Sequence, residues 1–295
     1  MNKSQVSVII PTHNRSELIL RAVDSVMKQT FSDFDLWIVD DGSTDETEEK
    51  IKQYGKTHDP ENKINYLKTD NNGVSSARNF GVKKSDGRLV AFLDSDDEWL
   101  PEKLQKQINY LEKNSYIRLV HGDEIWIRNG KRVNPRNIHK KSGGNIFKSC
   151  LKLCLISPSA VMMERNLIIE MGGWDEEFVV CEDYDLWLKV TSMHEVGFIN
   201  EPIINKYGGH EDQLSRKYFA MDYWRIKSMD RISRAGNLED GDILAVADEI
   251  IRKGVILLSG YEKHKNFVHY DEVKRIVERA HGMADSDCRI LPENQ

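Results

Sequence analysis

Apolar residues fall in short blocks along the first third of the chain, and helical spacing governs the text between them. VSVII (6–10) reads as a buried strand. After it, Asn14 or Ser16 opens a helix whose apolar positions Leu18, Ala22, Val23, Val26 and Met27 recur at helical intervals. DLWIVDD (35–41) is the next strand, and Ser43 with Glu46 forms a capping-box pattern ahead of a charged helix running to about Tyr54. INYLKT (64–69) and LVAFL (89–93) are further strands, separated by an Asn72-Gly73 turn and a helix over VSSARNFGVKK. Pro101 stands at the start of a helix whose buried face is Leu104, Ile108 and Leu111. Strand and helix alternate, which predicts a doubly wound, mostly parallel α/β sheet flanked by helices.

The second half changes character. LVHGDEIWI and KRVNP flank Asn129-Gly130 as a hairpin, and a basic loop runs from 128 to 144. SPSAVMME (157–164) reads as a strand and ERNLIIEMGG as a helix stopped by Gly172-Gly173. EDYDLWLKVTSM (182–193) is a helix with its acids in the first turn, where they suit the dipole. From about 215 to 284 the chain is helical and polar, with Leu244, Ile250, Ile251, Val255 and Leu257 as core candidates. The expected division is therefore 1–214, split near 115 and 116, followed by a helical C-terminal extension over 215–295. That extension is compatible with covering a site, binding a partner or forming a homodimer.

The 295 residues are 39% hydrophobic, enough for a sizeable core without disulfides. Cys150, Cys154, Cys181 and Cys288 are expected to be reduced packing residues, the first two as neighbours on one helix face. A net charge of -6 offers nucleic acid no electrostatic footprint. The N-terminal text lacks the apolar core of a signal peptide, and no stretch reaches the roughly 18 apolar residues of a membrane span. The expected location is the cytoplasm, with peripheral contact at the inner face of a membrane left open.

Ligands of an open α/β sheet bind beyond the carboxyl ends of its strands. Here those ends carry Thr12 and Asn14, then Asp40 and Asp41, then Asp94, Asp96 and Asp97. Converging carboxylates repel unless a cation joins them, and an all-oxygen set suits a hard ion such as Mg2+ or Mn2+. An EF-hand needs a glycine and a glutamate where this chain, counted from Asp94, has Trp99 and Gln105. There is no HExxH pair, no P-loop, and no GxGxxG after the first strand, where PTHNR stands instead.

With these motifs in order, the chain resembles the family 2 glycosyltransferases, inverting enzymes of the GT-A fold. VSVIIPTHNR, DLWIVDDGSTDET, NNGVSSARNFG, FLDSDDEWLPEKL and GGWDEEF followed by EDYDLWLK carry the resemblance, over roughly residues 5 to 210. It implies that Thr12 and Asp41, with Asn14 and Arg15 of the first turn, hold the base end of a nucleotide sugar. Arg78 would lie near the base or phosphates. Asp94-Ser95-Asp96 would be the DxD motif, with Asp94 facing ribose or metal and Asp96 binding the Mn2+ or Mg2+ that bridges the diphosphate. Asp183 would be the catalytic base, supported by Glu182. His210 would assist the metal or diphosphate. Trp174 and Glu182 are the acceptor-side candidates.

The implied activity moves a sugar from a nucleotide donor, UDP-sugar favoured, to an acceptor hydroxyl of a carbohydrate, lipid-linked or other acceptor. Bland readings stand beside several of these: Asp40 as a structural turn residue, Arg78 as an ion-pair partner, Asp97 and Glu98 as charges at a helix start, and the basic loop as solvated surface. The sharper reading of that loop is a contact for a phosphorylated or lipid-linked acceptor. Two other functions compete. A nucleotide-sugar-binding scaffold would not need Asp183, and a nucleotidyltransferase would carry a glycine-rich loop after the first strand.

Overall fold

The computed structural model describes residues 4–209 and 221–287. β1 (Val6–Thr12) is buried along its whole length. It lies parallel between β2 (Phe34–Asp40) and β4 (Leu89–Phe92), and β3 (Ile64–Lys68) extends the sheet beyond β2. Helices α1 (Ile19–Met27), α2 (Thr47–His58) and α3 (Val74–Lys84) make the connections. Past β4 the sheet turns mixed. β8 (Met162–Glu164) runs antiparallel to both β4 and β6 (Leu119–Arg128). β9 (Gly197–Gly208) lies parallel to β6, and β5 (Glu98–Trp99) closes the far edge. The strand order is β3-β2-β1-β4-β8-β6-β9-β5, with β7 (Lys131–Val133) hairpinned onto β6. The order reverses between β1 and β4, the place where such sheets open a ligand crevice.

Successive β1 side chains feed opposite faces. Val6, Val8 and Ile10 pack with α1 and with α4 (Lys103–Lys113). Ile9 packs on the other face beside Ala77 and Val82 of α3. α3 lies close because Gly81 has no side chain: a Cβ there would sit 2.7 Å from Ile9 Cγ2. The same face receives α5 (Phe147–Lys152), α6 (Arg165–Glu170) and α7 (Glu182–Thr191). It also receives the C-terminal helices α8 (Met221–Arg234), α9 (Asp240–His264) and α10 (Tyr270–Asp287). The two expected segments are thus joined by one core on this face. The boundary expected at 214/215 falls outside the described residues.

Several local expectations are corrected. No capping box forms at α2: Ser43 Oγ accepts the Asn14 amide, and Asp45 Oδ1 accepts the Thr47 amide at 3.1 Å. Residues 158–160 are a 3-10 turn, and the strand is only Met162–Glu164. Cys154 lies past the end of α5, so it does not share a helix face with Cys150. Val255 is 55% exposed, because the buried face of α9 is Val246, Ala247, Ile250, Gly254 and Tyr261. Among the described residues no helix is long and apolar enough to cross a membrane.

Candidate active site

The carboxyl ends of β1 and β2 are laced together by side chain to backbone bonds. Asn14, held at φ 51°, donates its amide to Ser43 Oγ at 2.8 Å and accepts the Thr44 amide at 2.8 Å. The Arg15 amide reaches Thr47 Oγ1 at 3.2 Å. Thr12 is buried at the strand end, and its hydroxyl lacks a partner among the described residues. Asp41 is buried and accepts from Thr69 Oγ1, the Asn72 amide and the Gly73 amide, at 3.1, 2.9 and 2.7 Å. A carboxylate has about four acceptor positions, so Asp41 keeps one for a ligand N–H. Asp40 is fully buried, accepts from the Ser43 amide and the Tyr66 hydroxyl, and is structural as expected.

The acidic stretch after β4 divides by burial. Asp94 and Asp96 are partly exposed, with Ser95 buried between them. The backbone carbonyl of Asp96 accepts from Arg21, whose guanidinium lies 3.6 Å from the Tyr207 ring centre. Asp97 and Glu98 are not charges at a helix start. Asp97 is 2% exposed, accepting from Ser159 Oγ at 2.6 Å and the Tyr207 amide at 2.9 Å. Glu98 belongs to β5 and accepts from Asn205 and from the Tyr207 hydroxyl. Burial, then the charges of Asp96 and Asp94, push the Asp97 carboxyl well above the usual carboxylate range.

Arg78 joins this edge to the second half of the chain. From the centre of α3 its guanidinium donates to Asp94 Oδ1 at 2.7 Å and to Glu182 Oε1 at 2.8 Å. It is 3% exposed and lies over the Trp174 ring, 4.3 Å from the centroid. Burial works against its charge, but Asp94 and Glu182 outweigh burial and keep it a cation. The bland reading of Arg78 as an ion-pair partner therefore holds, and both partners belong to the predicted site.

Two acceptor-side expectations are corrected by this geometry. Trp174 is 1% exposed, edge-on to Phe92 and Trp187, and serves as a floor for Arg78 with no face left for an acceptor. Glu182 is 6% exposed and spent on Arg78. Burial raises its carboxyl above the ordinary range, Arg78 opposes the rise, and Asp183 adds to it.

Asp183 follows Glu182 in the first turn of α7. That helix starts from Cys181 in the left-handed region at φ 62°, a conformation costing a non-glycine residue about 1–3 kcal/mol. Asp183 remains partly exposed; its Oδ2 accepts the Cys154 thiol at 3.3 Å. Burial and the Asp183 charge push that thiol well up, so it stays protonated and donates.

Sequence reasoning missed Lys206 of β9. Its ammonium donates to Ser157 Oγ at 2.7 Å. Burial opposes its charge, yet Glu124, Asp97, Asp94 and Asp183 raise its pKa. One lysine thus feels acids from β6, the β4–β5 connection and α7, a relation created by tertiary assembly that no local motif signals. His210 lies outside the described residues.

Among the described residues no three His, Cys, Asp or Glu side chains form a ready-made metal cage. Asp94 and Asp96 nevertheless supply hard oxygen donors. Both carboxylates are partly exposed and stand two residues apart at the strand end, so the donor set is one that fits Mg2+ or Mn2+.

The model of glycosyl transferase family 2 matches residues 7–172. An uncharacterized glycosyltransferase of Rickettsia bellii is 34% identical over 203 residues, covering 69% of this chain and 29% of that protein. The UDP-Glc:alpha-D-GlcNAc-diphosphoundecaprenol beta-1,3-glucosyltransferase WfgD of Escherichia coli is 33% identical over 224 residues, 74% of this chain and 83% of its own. The chain spans about a third of the length of three rickettsial relatives, 29% to 33%, 62% of two others, and most of WfgD. In structure, S. aureus TarS 1-349 in complex with UDP-GlcNAc superposes with a TM-score of 0.73 at 19% identity, over 97% of this chain and 85% of that one. TarS shares the curled, mostly parallel sheet with its flanking helices. The family match covers more than half of the chain, and it places the aspartates of the DxD stretch inside the matched region: the chain belongs to glycosyl transferase family 2.

Proposed function

We propose that the chain is a metal-dependent, inverting glycosyltransferase that moves a sugar from a UDP-sugar to an acceptor hydroxyl in polysaccharide or glycolipid synthesis. One observation carries this reading. Arg78 binds Asp94 of the DxD stretch and Glu182 at once, across 104 positions of sequence, and so draws Asp183 to the edge where the acids converge. The alternative of a scaffold without chemistry gives no reason for that convergence. WfgD is named for transfer from UDP-Glc, which favours a UDP donor here.

In this reading, the buried Thr12 hydroxyl and the remaining acceptor position of Asp41 receive the base. Asp96 and Asp94 would hold Mn2+ or Mg2+, which would neutralise charge on the leaving diphosphate. Asp183 takes the proton of the acceptor hydroxyl as that oxygen attacks the anomeric carbon from the face opposite the nucleotide. Attack from that side inverts the configuration, and no covalent sugar–enzyme intermediate is required. The Cys154 thiol and the Tyr184 amide fix the carboxylate's orientation before the acceptor arrives.

Asp183→Asn keeps the shape and removes the base. UDP affinity should be unchanged, while UDP release from UDP-Glc or UDP-GlcNAc across a panel of hydroxyl acceptors should fall by about 10²–10⁴-fold. Transfer at the wild-type rate would remove Asp183 from the mechanism.

A further inference from the structure

A second cluster of charge lies beside the acids and is opposite in sign. Trp126 of β6 is its centre. The His139 ring stands 5.2 Å from the indole, and the Arg128 guanidinium 5.7 Å from it. The indole N–H is committed to Glu124 Oε2 at 2.8 Å, and the buried Lys141 binds the other oxygen of the same carboxylate. Glu124 is therefore consumed. Arg128 and Arg136 are exposed, and neither has a carboxylate partner among the described residues. Burial, followed by Arg136, Lys141, Lys206 and Arg128, lowers the pKa of His139, so four cations act on one ring.

This collar is continuous with the candidate active site. Lys206 of β9 is the register partner of Trp126 in β6, its ammonium donates to Ser157 Oγ at 2.7 Å, and it feels the charges of Glu124, Asp94 and Asp183. An anion seated on the collar would therefore meet the reacting edge across a single lysine. Guanidinium forks suit phosphate oxygens, and two exposed arginines without a carboxylate partner keep their donors available to an anion. Ile138, 67% exposed within the same loop, gives the collar one apolar side.

We propose that Arg128 and Arg136, with His139 and Trp126 beside them and Lys141 fixed behind them on Glu124, bind a phosphate or diphosphate group of the acceptor, so that the acceptor is a phosphorylated, lipid-attached glycan whose hydroxyl reaches Asp183 past Lys206. The proposal rests on the glycosyl-transfer reading and names its acceptor class. A neutral oligosaccharide would have no use for the collar.

The test titrates geranyl diphosphate into the full chain held in saturating UDP and excess Mn2+, with geraniol as the uncharged control. Wild type should bind the diphosphate saturably and more weakly as salt rises, and should not bind geraniol. The double variant Arg128→Gln/Arg136→Gln alters only exposed side chains. It should weaken diphosphate binding by at least about tenfold and leave UDP affinity unchanged. Equal affinity in the two proteins, or no saturable binding by wild type, overturns the proposal. In a parallel arm, phosphatidylglycerol and phosphatidylcholine vesicles are offered to both proteins. If the variant loses phosphatidylglycerol binding but keeps the diphosphate affinity, the collar is a membrane contact and the proposal also falls. Failure of UDP itself to bind would instead remove the donor reading, which this titration reports separately.

Discussion

The two edges of the crevice handle polar groups in opposite ways. On the proposed donor side, the loops after β1, β2 and β3 bond to one another: Asn14 to Ser43 and Thr44, Ser16 to Asp45, Asp41 to residues 69–73. Little there is left to rearrange. On the proposed acceptor side, Glu124 pins Lys141 and Trp126, while Arg128 and Arg136 are exposed with no carboxylate partner among the described residues. A nucleotide is the same molecule at every turnover, and a preformed loop set suits it. Cations held on a hairpin and a short turn suit a larger, charged partner.

Arg78 spans the two sides, and removing it is expected to have the largest effect on stability. Arg78→Met leaves Glu182 buried and Asp94 without its partner. Thermal unfolding should register a loss of about 3–5 kcal/mol, accompanied by weaker UDP binding. Arg78→Lys should recover part of the stability but not the double contact.

Next comes Glu124, on the acceptor side. Burial alone would raise its carboxyl, but Lys141 and Lys206 bring it from 4.5 down to about 2. A carboxyl depressed in the folded state stabilises above its unfolded pKa, and that stabilisation disappears as pH falls through the folded value. The contribution, about 3 kcal/mol, should be complete above about pH 4.5 and gone near pH 2. Denaturant unfolding of wild type and Glu124→Gln should show a gap that closes over this window.

The smallest effect returns to the donor side. Gly81→Ala should cost about 1–3 kcal/mol, because α3 must move off Ile9 or distort it. UDP affinity should fall with it, since α3 carries Arg78. Unchanged affinity in the folded variant would mean that the helix position is not transmitted to the site.

This comparison also explains what was legible in the sequence. β1 to β4, their helices, and the placement of Thr12, Asp41, Asp94 and Asp96 at the strand ends could be read because each sits in a short stretch whose neighbours in sequence are its neighbours in space. Arg78 was visible as a residue, but its partner Glu182 lies 104 positions away, so its role as a bridge was not. Lys206, Ser157 and Glu124 meet only after β6 and β9 pair in parallel. Trp174 and Glu182 were misjudged for a similar reason: the first turn of α7 and the loop before it lie over Arg78 and are buried by it. Asp97 and Glu98 resemble helix-start charges in sequence, but pairing of β5 with β9 carries Glu98 into the sheet and buries Asp97 against Ser159 and the Tyr207 amide.

The central claim is that Asp96 and Asp94, the latter held by Arg78, bind a cation and through it a nucleoside diphosphate. Calorimetric titration of UDP with Mn2+, and again with EDTA, tests it most directly. The account predicts binding with Mn2+ and an affinity at least about tenfold lower in EDTA. Equal affinity with and without the metal would contradict it and leave the acids of this edge without their proposed role.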